Sequence, residues 1–365
     1  MTTLPRPRRM LTATTAVGLG AVGALALAGC AGPGAAGASA DAPRVVATTT
    51  QVGNFARELA GDEAEVTQLL SPGQSAHGFD PSAAQLLALS DADVLVVNGA
   101  GLESWLDDAV EASGFDGVLI DASTGIELYG TDDHEHETDD SGHDHENDDE
   151  SSSEHESEDP AAGSAADHDG HDHGDGNPHI WTDPELAEHM VENIAHGLAE
   201  VPGIDADAVE ANETAYLEQL DALDEWIAEN VEQVPVADRL LVTNHDAFTY
   251  FVDAYDITFV GSIIPSFDDN AEPSAAEIDD LVAKIRDTGV KAVFSEASIS
   301  PKAAETIGAE SGATVYSGPD ALYGDSLGAA GSDGESYLGS QVHNARLILE
   351  SWGVEPSPLP AVLQG

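Results

Sequence analysis

Cysteine is all but absent here: among 365 residues only Cys30 carries a thiol, so the chain cannot form an internal disulfide. Basic side chains are nearly as scarce. Eleven Lys and Arg stand against 69 Asp and Glu, a formal charge of -58, and only Lys284, Lys291 and Lys302 are lysines. That balance excludes nucleic acid as a partner and suits cations. It also points to a salt-loving or salt-tolerant host, because so acidic a surface repels itself at low salt. Beyond residue 30 no run is long and apolar enough to cross a membrane, for which about 20 residues are needed. The local zinc signatures HExxH and CxxC are missing as well.

What is present begins with a leader. Arg6, Arg8 and Arg9 precede an uncharged, Ala/Gly/Leu-rich run over residues 11–29, which ends in Leu27-Ala28-Gly29-Cys30. Basic residues, an apolar stretch and small residues at the cut make residues 1–29 a secretory signal peptide. Its loss removes three arginines and takes the formal charge from -58 to -61. Cys30 then becomes the first residue and the acceptor of a lipid, which would anchor the protein to the cell membrane outside the cytoplasm. The competing reading makes the apolar run itself the anchor and the thiol incidental. Residues 30–43, mostly Ala, Gly, Ser and Pro, form a flexible tether. About 320 residues remain, enough for one large or two ordinary domains.

Residues 131–176 contain no Leu, Ile, Val, Met, Phe, Trp, Tyr, Lys or Arg. Without apolar burial to offset chain ordering, a disordered loop is expected. Its 46 residues hold 19 Asp or Glu and eight of the 14 histidines: His134, His136, His143, His145, His155, His168, His171 and His173. Histidines alternating with acids offer imidazole nitrogen and carboxylate oxygen to a borderline cation, so loose auxiliary metal binding is expected. The bland alternative is an inert solubilising insert.

On either side, short β-like runs alternate with helical stretches, which marks an α/β protein with parallel sheets. Strands are expected at 44–49, 65–70, 94–97 and 117–120, and again at 239–243, 257–260, 292–294 and 314–316. Helices are expected at 54–60, 82–88, 103–112, 185–200, 277–287, 302–310 and 337–350. Two sets of four strands imply two similar lobes, an N-terminal lobe over 44–204 and a C-terminal lobe over 236–352. Between them, Val209, Tyr216, Leu220, Leu223, Ile227 and Val231 recur at helical spacing, giving a linking helix over 205–232. Pro202 and Pro235 punctuate its ends.

In such lobes ligands gather at the carboxyl ends of strands. His77 lies in a Gly/Pro/Ser loop, Ser71-Pro72-Gly73-Gln74-Ser75-Ala76-His77-Gly78-Phe79-Asp80-Pro81. His179 precedes a helix in Asn177-Pro178-His179-Ile180-Trp181-Thr182-Asp183-Pro184. His245 follows a strand in Thr243-Asn244-His245-Asp246-Ala247-Phe248, and Asp325 follows the last strand in Leu322-Tyr323-Gly324-Asp325-Ser326. Taken singly, a histidine at a strand end is more often a hydrogen-bonded loop residue than a ligand. His189, His196 and His343 fall inside expected helices and read as ordinary surface or packing residues.

From Arg44 to Trp352, through these segments together with Gly101-Leu102-Glu103-Ser104-Trp105-Leu106 and Phe294-Ser295-Glu296, the chain resembles the zinc and manganese solute-binding lipoproteins of bacterial ABC importers. The resemblance implies two lobes with parallel four-stranded sheets, joined by a long rigid helix, with the metal in the cleft between them. It implies His77 and His179 as ligands from the first lobe and His245 and Asp325 from the second. Glu296 matches an acid that orients a ligand histidine without touching the metal. The histidine- and acid-rich loop falls where zinc-type members carry theirs. Three imidazoles and one carboxylate form a tetrahedral set suited to Zn(II). Mn(II) prefers more oxygen, and manganese-type relatives carry a glutamate where this chain has His245. The expected activity is therefore capture of Zn(II) by a monomeric protein and delivery to an ABC permease and its ATPase. Three alternatives stand beside it. One is a manganese-binding member of the family. Another is a surface adhesin or metal buffer without transport duty. The third is a secreted zinc hydrolase, which needs an open coordination position and a nearby base.

Overall fold

In the computed structural model the described residues are 42–129 and 176–364. The leader, Cys30, the tether up to Asp41 and the eight-histidine tract up to Asp175 lie outside them. In the first lobe, β1 (Arg44–Ala47), β2 (Glu65–Gln68), β3 (Val94–Val97) and β4 (Val118–Asp121) form one parallel sheet of order β2-β1-β3-β4. The two central strands explain their own composition. Val45, Val46 and Ala47 of β1 and all four residues of β3 are buried, as strands covered on both faces require. Helices α1 (Thr50–Ala60), α2 (Ala83–Ser90) and α3 (Leu106–Ser113) supply the crossovers. Ser82 and Gln85 close a capping box at the start of α2, which stops the His77 loop at a fixed point. Strand order reverses between β1 and β3, and the crevice at such a switch point is where α/β folds bind ligands.

After the His179 segment come α4 (Pro184–Ala199), capped by Asp183, and α5 (Ala206–Val231), capped by Asp205. The 26 residues of α5 span about 39 Å at ~1.5 Å each. Val209, Tyr216, Leu220, Leu223, Ile227 and Val231, the apolar stripe of the sequence, are all buried, and Trp226 with them. They pack α5 against α1 and α4 on one side and the last helix on the other.

The second lobe starts with β5 (Leu240–His245), α6 (Thr249–Ala254) and β6 (Thr258–Ile264). It continues through α7 (Ala275–Thr288), β7 (Ala292–Phe294), α8 (Lys302–Ser311), β8 (Thr314–Tyr316) and α9 (Tyr337–Trp352). All strand pairing here is parallel. The four strands are bonded as two pairs, β5 with β6 and β7 with β8, and β5 packs beside β7. Register slips between Leu241 and Val242, where β6 carries one extra residue, Val260, between Phe259 and Gly261. One apolar core runs from β1 and α1 through α5 into α6 and α9, and a smaller one lies between β6, α7 and α8. Phe55 on α1 meets both Tyr216 on α5 and Tyr337 on α9 edge-on, at 6.1 and 4.8 Å between ring centres.

Candidate metal centre

Each of the four dispersed residues sits where a chain segment stops. His77 lies between β2 and α2, in a loop fastened from both sides. Its N–H donates to Ser75 Oγ at 3.2 Å, Ser104 Oγ donates to its carbonyl at 3.2 Å, and the Trp105 indole donates to Ala76 O at 2.8 Å. The fastening segment is itself pinned. Glu103, wholly buried, accepts from Thr48 Oγ1 at 2.5 Å, Asn98 N at 2.8 Å and Gly99 N at 3.2 Å. That turn needs left-handed backbone at Gly99, Ala100 and Gly101, which two glycines make inexpensive. Burial raises the Glu103 pKa to about 7 even though these donors favour its charged form.

His179 opens a 3-10 turn (Ile180–Thr182), and Thr182 Oγ1 donates back to its carbonyl at 2.9 Å. His245 is the last residue of β5. Asp325 follows Gly324, whose carbonyl accepts from Gln51 Nε2 at 3.1 Å and the Trp181 indole at 3.2 Å. Leu327 N donates to Thr50 Oγ1 at 2.8 Å. The Asp325 loop is thus held against the switch point of the first lobe.

These segments bring one donor atom from each residue within 4.8 Å of one another. His179 Nε2 lies 3.2 Å from His77 Nε2, 3.2 Å from His245 Nε2 and 3.0 Å from Asp325 Oδ1. Asp325 is 3.3 Å from His245 Nε2 through Oδ1 and 3.7 Å from His77 Nε2 through Oδ2. A tetrahedron of Zn–N radius 2.0–2.1 Å has edges of about 3.3–3.4 Å, and the four separations among His77, His179, His245 Nε2 and Asp325 Oδ1 that run 3.0–3.3 Å lie close to that value. His179, His245 and Asp325 are 0–1% exposed, and only His77 reaches solvent at one edge.

The ring tautomers follow from the groups behind the histidines. His179 Nδ1–H donates to Asn177 Oδ1 at 2.6 Å, and His245 Nδ1–H donates to Glu296 Oε1 at 2.7 Å. Both Nε2 atoms therefore face the centre. Electrostatically the site is built for a cation. Burial lowers the His179 pKa to about 4, so that ring is neutral and free to ligate. At His245 burial also disfavours the charged form, but Glu296 and Asp325 outweigh it and raise the pKa well above the usual imidazole value. Asp325 is held well below the carboxylate range: burial opposes this, and His245 and His179 overcome it. Glu296 Oε2 and Asp325 Oδ2 have no hydrogen-bond partner among the described residues. Asp325 at the centre and Glu296 behind His245 would together balance the two charges of a divalent ion, as burial of a charge requires.

The remaining described histidines stay apart. His189 and His196 are exposed on α4, 3.2 Å from Glu192 and 4.0 Å from Glu200, and His343 is 3.0 Å from Ala321 O. Two polar residues that the sequence showed only as motif letters, Glu103 and Asn177, prove central to how the loops of the candidate ligands are held.

The family model described as "Zinc-uptake complex component A periplasmic" matches residues 45–351. The manganese-binding lipoprotein MntA of Halalkalibacterium halodurans is 28% identical over 323 residues, 88% of this chain and 92% of that one. The zinc-binding protein AdcA of Streptococcus pyogenes is 28% identical over 322 residues, 86% of this chain and 58% of that one. Among solved structures, the periplasmic zinc binding protein TroA from Treponema pallidum aligns with a TM-score of 0.68 at 23% identity, over 85% of this chain and 99% of that one. A 138-173 ZnuA deletion mutant with zinc bound aligns with a TM-score of 0.65 at 23% identity, over 87% of this chain and all 100% of that one. Those two likenesses speak for the fold. With the family model covering nearly the whole described chain, this protein belongs to the zinc-uptake component A family of metal-binding proteins that serve importers.

Proposed function

We propose that the protein is an extracytoplasmic lipoprotein that captures Zn(II) at His77, His179, His245 and Asp325 and hands it to the permease and ATPase of an ABC importer. The observation that carries this reading is the convergence of three imidazole nitrogens and one carboxylate oxygen within 4.8 Å of one another, 3.0–3.2 Å from His179 Nε2. Zinc is favoured over manganese by that nitrogen-rich set, although curated relatives carry both metals in their names. Asp325 occupies the position that a catalytic zinc site leaves open for water, which argues against a hydrolase. In this reading Cys30 holds the lipid and residues 131–176 add loosely held metal through their eight histidines. The two lobes, 44–204 and 236–352, are bridged by residues 205–232, and the protein works as a monomer.

Replacing His179 by Ala tests the site. Chelator competition should show tight zinc binding in the parent and its loss in His179→Ala, with Mn(II) a poor competitor throughout. Unchanged zinc affinity in the variant would sink the ligand assignment, and tighter Mn(II) than Zn(II) binding in the parent would make it a manganese carrier.

A further inference from the structure

Asn177 uses every polar group it has. Its backbone N–H donates to Tyr129 O at 2.7 Å, and its carbonyl accepts from the Tyr250 hydroxyl at 2.6 Å. Side-chain Oδ1 accepts from both the backbone N–H of His179, at 3.1 Å, and the ring Nδ1–H, at 2.6 Å. Side-chain Nδ2 donates to Asp246 O at 2.8 Å and Thr249 Oγ1 at 2.9 Å. His179 belongs to the first lobe. Asp246 directly follows His245, and Thr249 opens α6, both in the second lobe. One buried amide therefore touches a candidate ligand from one lobe and the neighbour of a candidate ligand from the other.

We propose that Asn177 is a positioning residue that couples the two lobes to the imidazole of His179. Its N–H groups are held by the second lobe, and that hold sets the oxygen which keeps the ring aimed at the metal. Without the Asp246 and Thr249 contacts the amide is free to turn, and His179 loses its orientation towards the metal. This rests on the reading of His179 as a zinc ligand.

The choice of an amide separates coupling from mere orientation. A carboxylate at 177 would accept from His179 at least as well and would make the imidazole a stronger ligand. It has no hydrogen to give Asp246 O, so it would set one acceptor against another in a buried place. Thr249 cannot readily compensate, because its hydroxyl already donates to Asp246 Oδ1 at 2.8 Å. Orientation alone predicts that Asn177→Asp holds zinc as well as or better than the parent. Coupling predicts that it lets go faster.

The experiment is zinc release from the full chain, mixed rapidly with excess chelator, in the parent, Asn177→Asp, Asn177→Ala and Thr249→Val. Both Asn177 variants should release zinc about ten-fold faster or more, the range typical of lost partners behind a ligand histidine. Thr249→Val, which removes one of the two acceptors in the second lobe, should shift release in the same direction by less. Release from Asn177→Asp at or below the parental rate, with Asn177→Ala fast, overturns the coupling and leaves Asn177 an orienting group. Should the Asn177 variants not fold, unchanged release from Thr249→Val overturns it. His179→Ala, run alongside, keeps the two ideas apart: tight zinc surviving there defeats the ligand assignment rather than the coupling.

Discussion

Behind the candidate ligands, Glu296 sets the charge and the orientation of His245. It receives His245 Nδ1–H at 2.7 Å and the His245 backbone N–H at 3.3 Å through the same oxygen. Its charge also offsets part of the cation that the site accepts. Glu296→Gln keeps the shape and removes the charge. Zinc affinity by chelator competition should fall about 10–100-fold. An affinity within two-fold of the parent would mean that Glu296 only holds the strand end. Gly324 is tied to the same carboxylate, since a Cβ there would lie 2.0 Å from Glu296 Oε2. The four residues now found together were picked out through the family resemblance of the motifs that hold them, since a histidine at a strand end taken singly reads as a loop residue. The groups behind His245 and His179 were legible to different degrees. Glu296 came with the motif that ends β7. Asn177 was only a letter before Pro178, because hydrogen bonds that cross between distant segments leave no periodic trace.

The elements themselves were mostly visible in the pattern. β3, β7 and β8 have the bounds that the apolar runs implied, and the α5 stripe is buried residue for residue. The exception is α6, whose sequence Thr249-Tyr250-Phe251-Val252-Asp253-Ala254 is rich in strand formers and only six residues long. Its helical state is imposed by packing, since Thr249, Tyr250, Phe251 and Val252 are all buried. The resemblance implied a four-stranded parallel sheet in the second lobe; the strands there are parallel but bonded as two pairs, because neighbours in a sheet are chosen by tertiary contact. One element-scale consequence can be tested. Tyr129 O accepts from Asn177 N at 2.7 Å, so the two ends of the histidine-rich tract meet. Removing residues 131–175 joins Gly130 to Gly176 and leaves Tyr129-Gly130-Gly176-Asn177. A hydrogen bond from the fourth N–H to the first carbonyl is that of a β-turn, and Gly-Gly suits its centre. The shortened protein should fold with stability within about 1 kcal/mol of the parent, as surface changes away from the core do. Calorimetric titration should show one tight zinc retained and the weaker sites gone. Loss of the tight zinc would place a ligand inside the tract, and unchanged stoichiometry would make the tract inert.

At the scale of the whole molecule, acidity governs stability. Two carboxyls have pKa values raised to about 7: Glu103 through burial alone, and Glu188 through burial and then the neighbouring Asp221. A carboxyl whose folded pKa is raised binds its proton in the folded state first. Its contribution is complete below the unfolded value, about 4.3, and is lost as pH rises through about 7. Stability of the metal-free protein should therefore fall as pH rises from about 4.3 through about 7, with the tail of that fall between pH 6.5 and 8, where His245, held above the usual imidazole value, adds a loss of the same sign. For the fully buried Glu103 the loss in that tail is on the order of 1 kcal/mol; Glu188 is more exposed and adds less. His179 works in the opposite sense but lower, because its pKa of about 4 means that stability is lost there as pH falls below the imidazole range. General repulsion among the many acids would blur the comparison. At about 1 M salt the screening length shrinks to roughly 3 Å, which removes the long-range part and leaves the buried groups. Urea unfolding at pH 6.5 and pH 8 under that salt should then show the drop, and Glu103→Gln should make it shallower. An equal pH dependence in the parent and Glu103→Gln would assign the drop to other groups. It would also leave the pinned turn at Asn98–Glu103 as a hydrogen-bonded fixture that holds the His77 loop in the same way at every pH in that range.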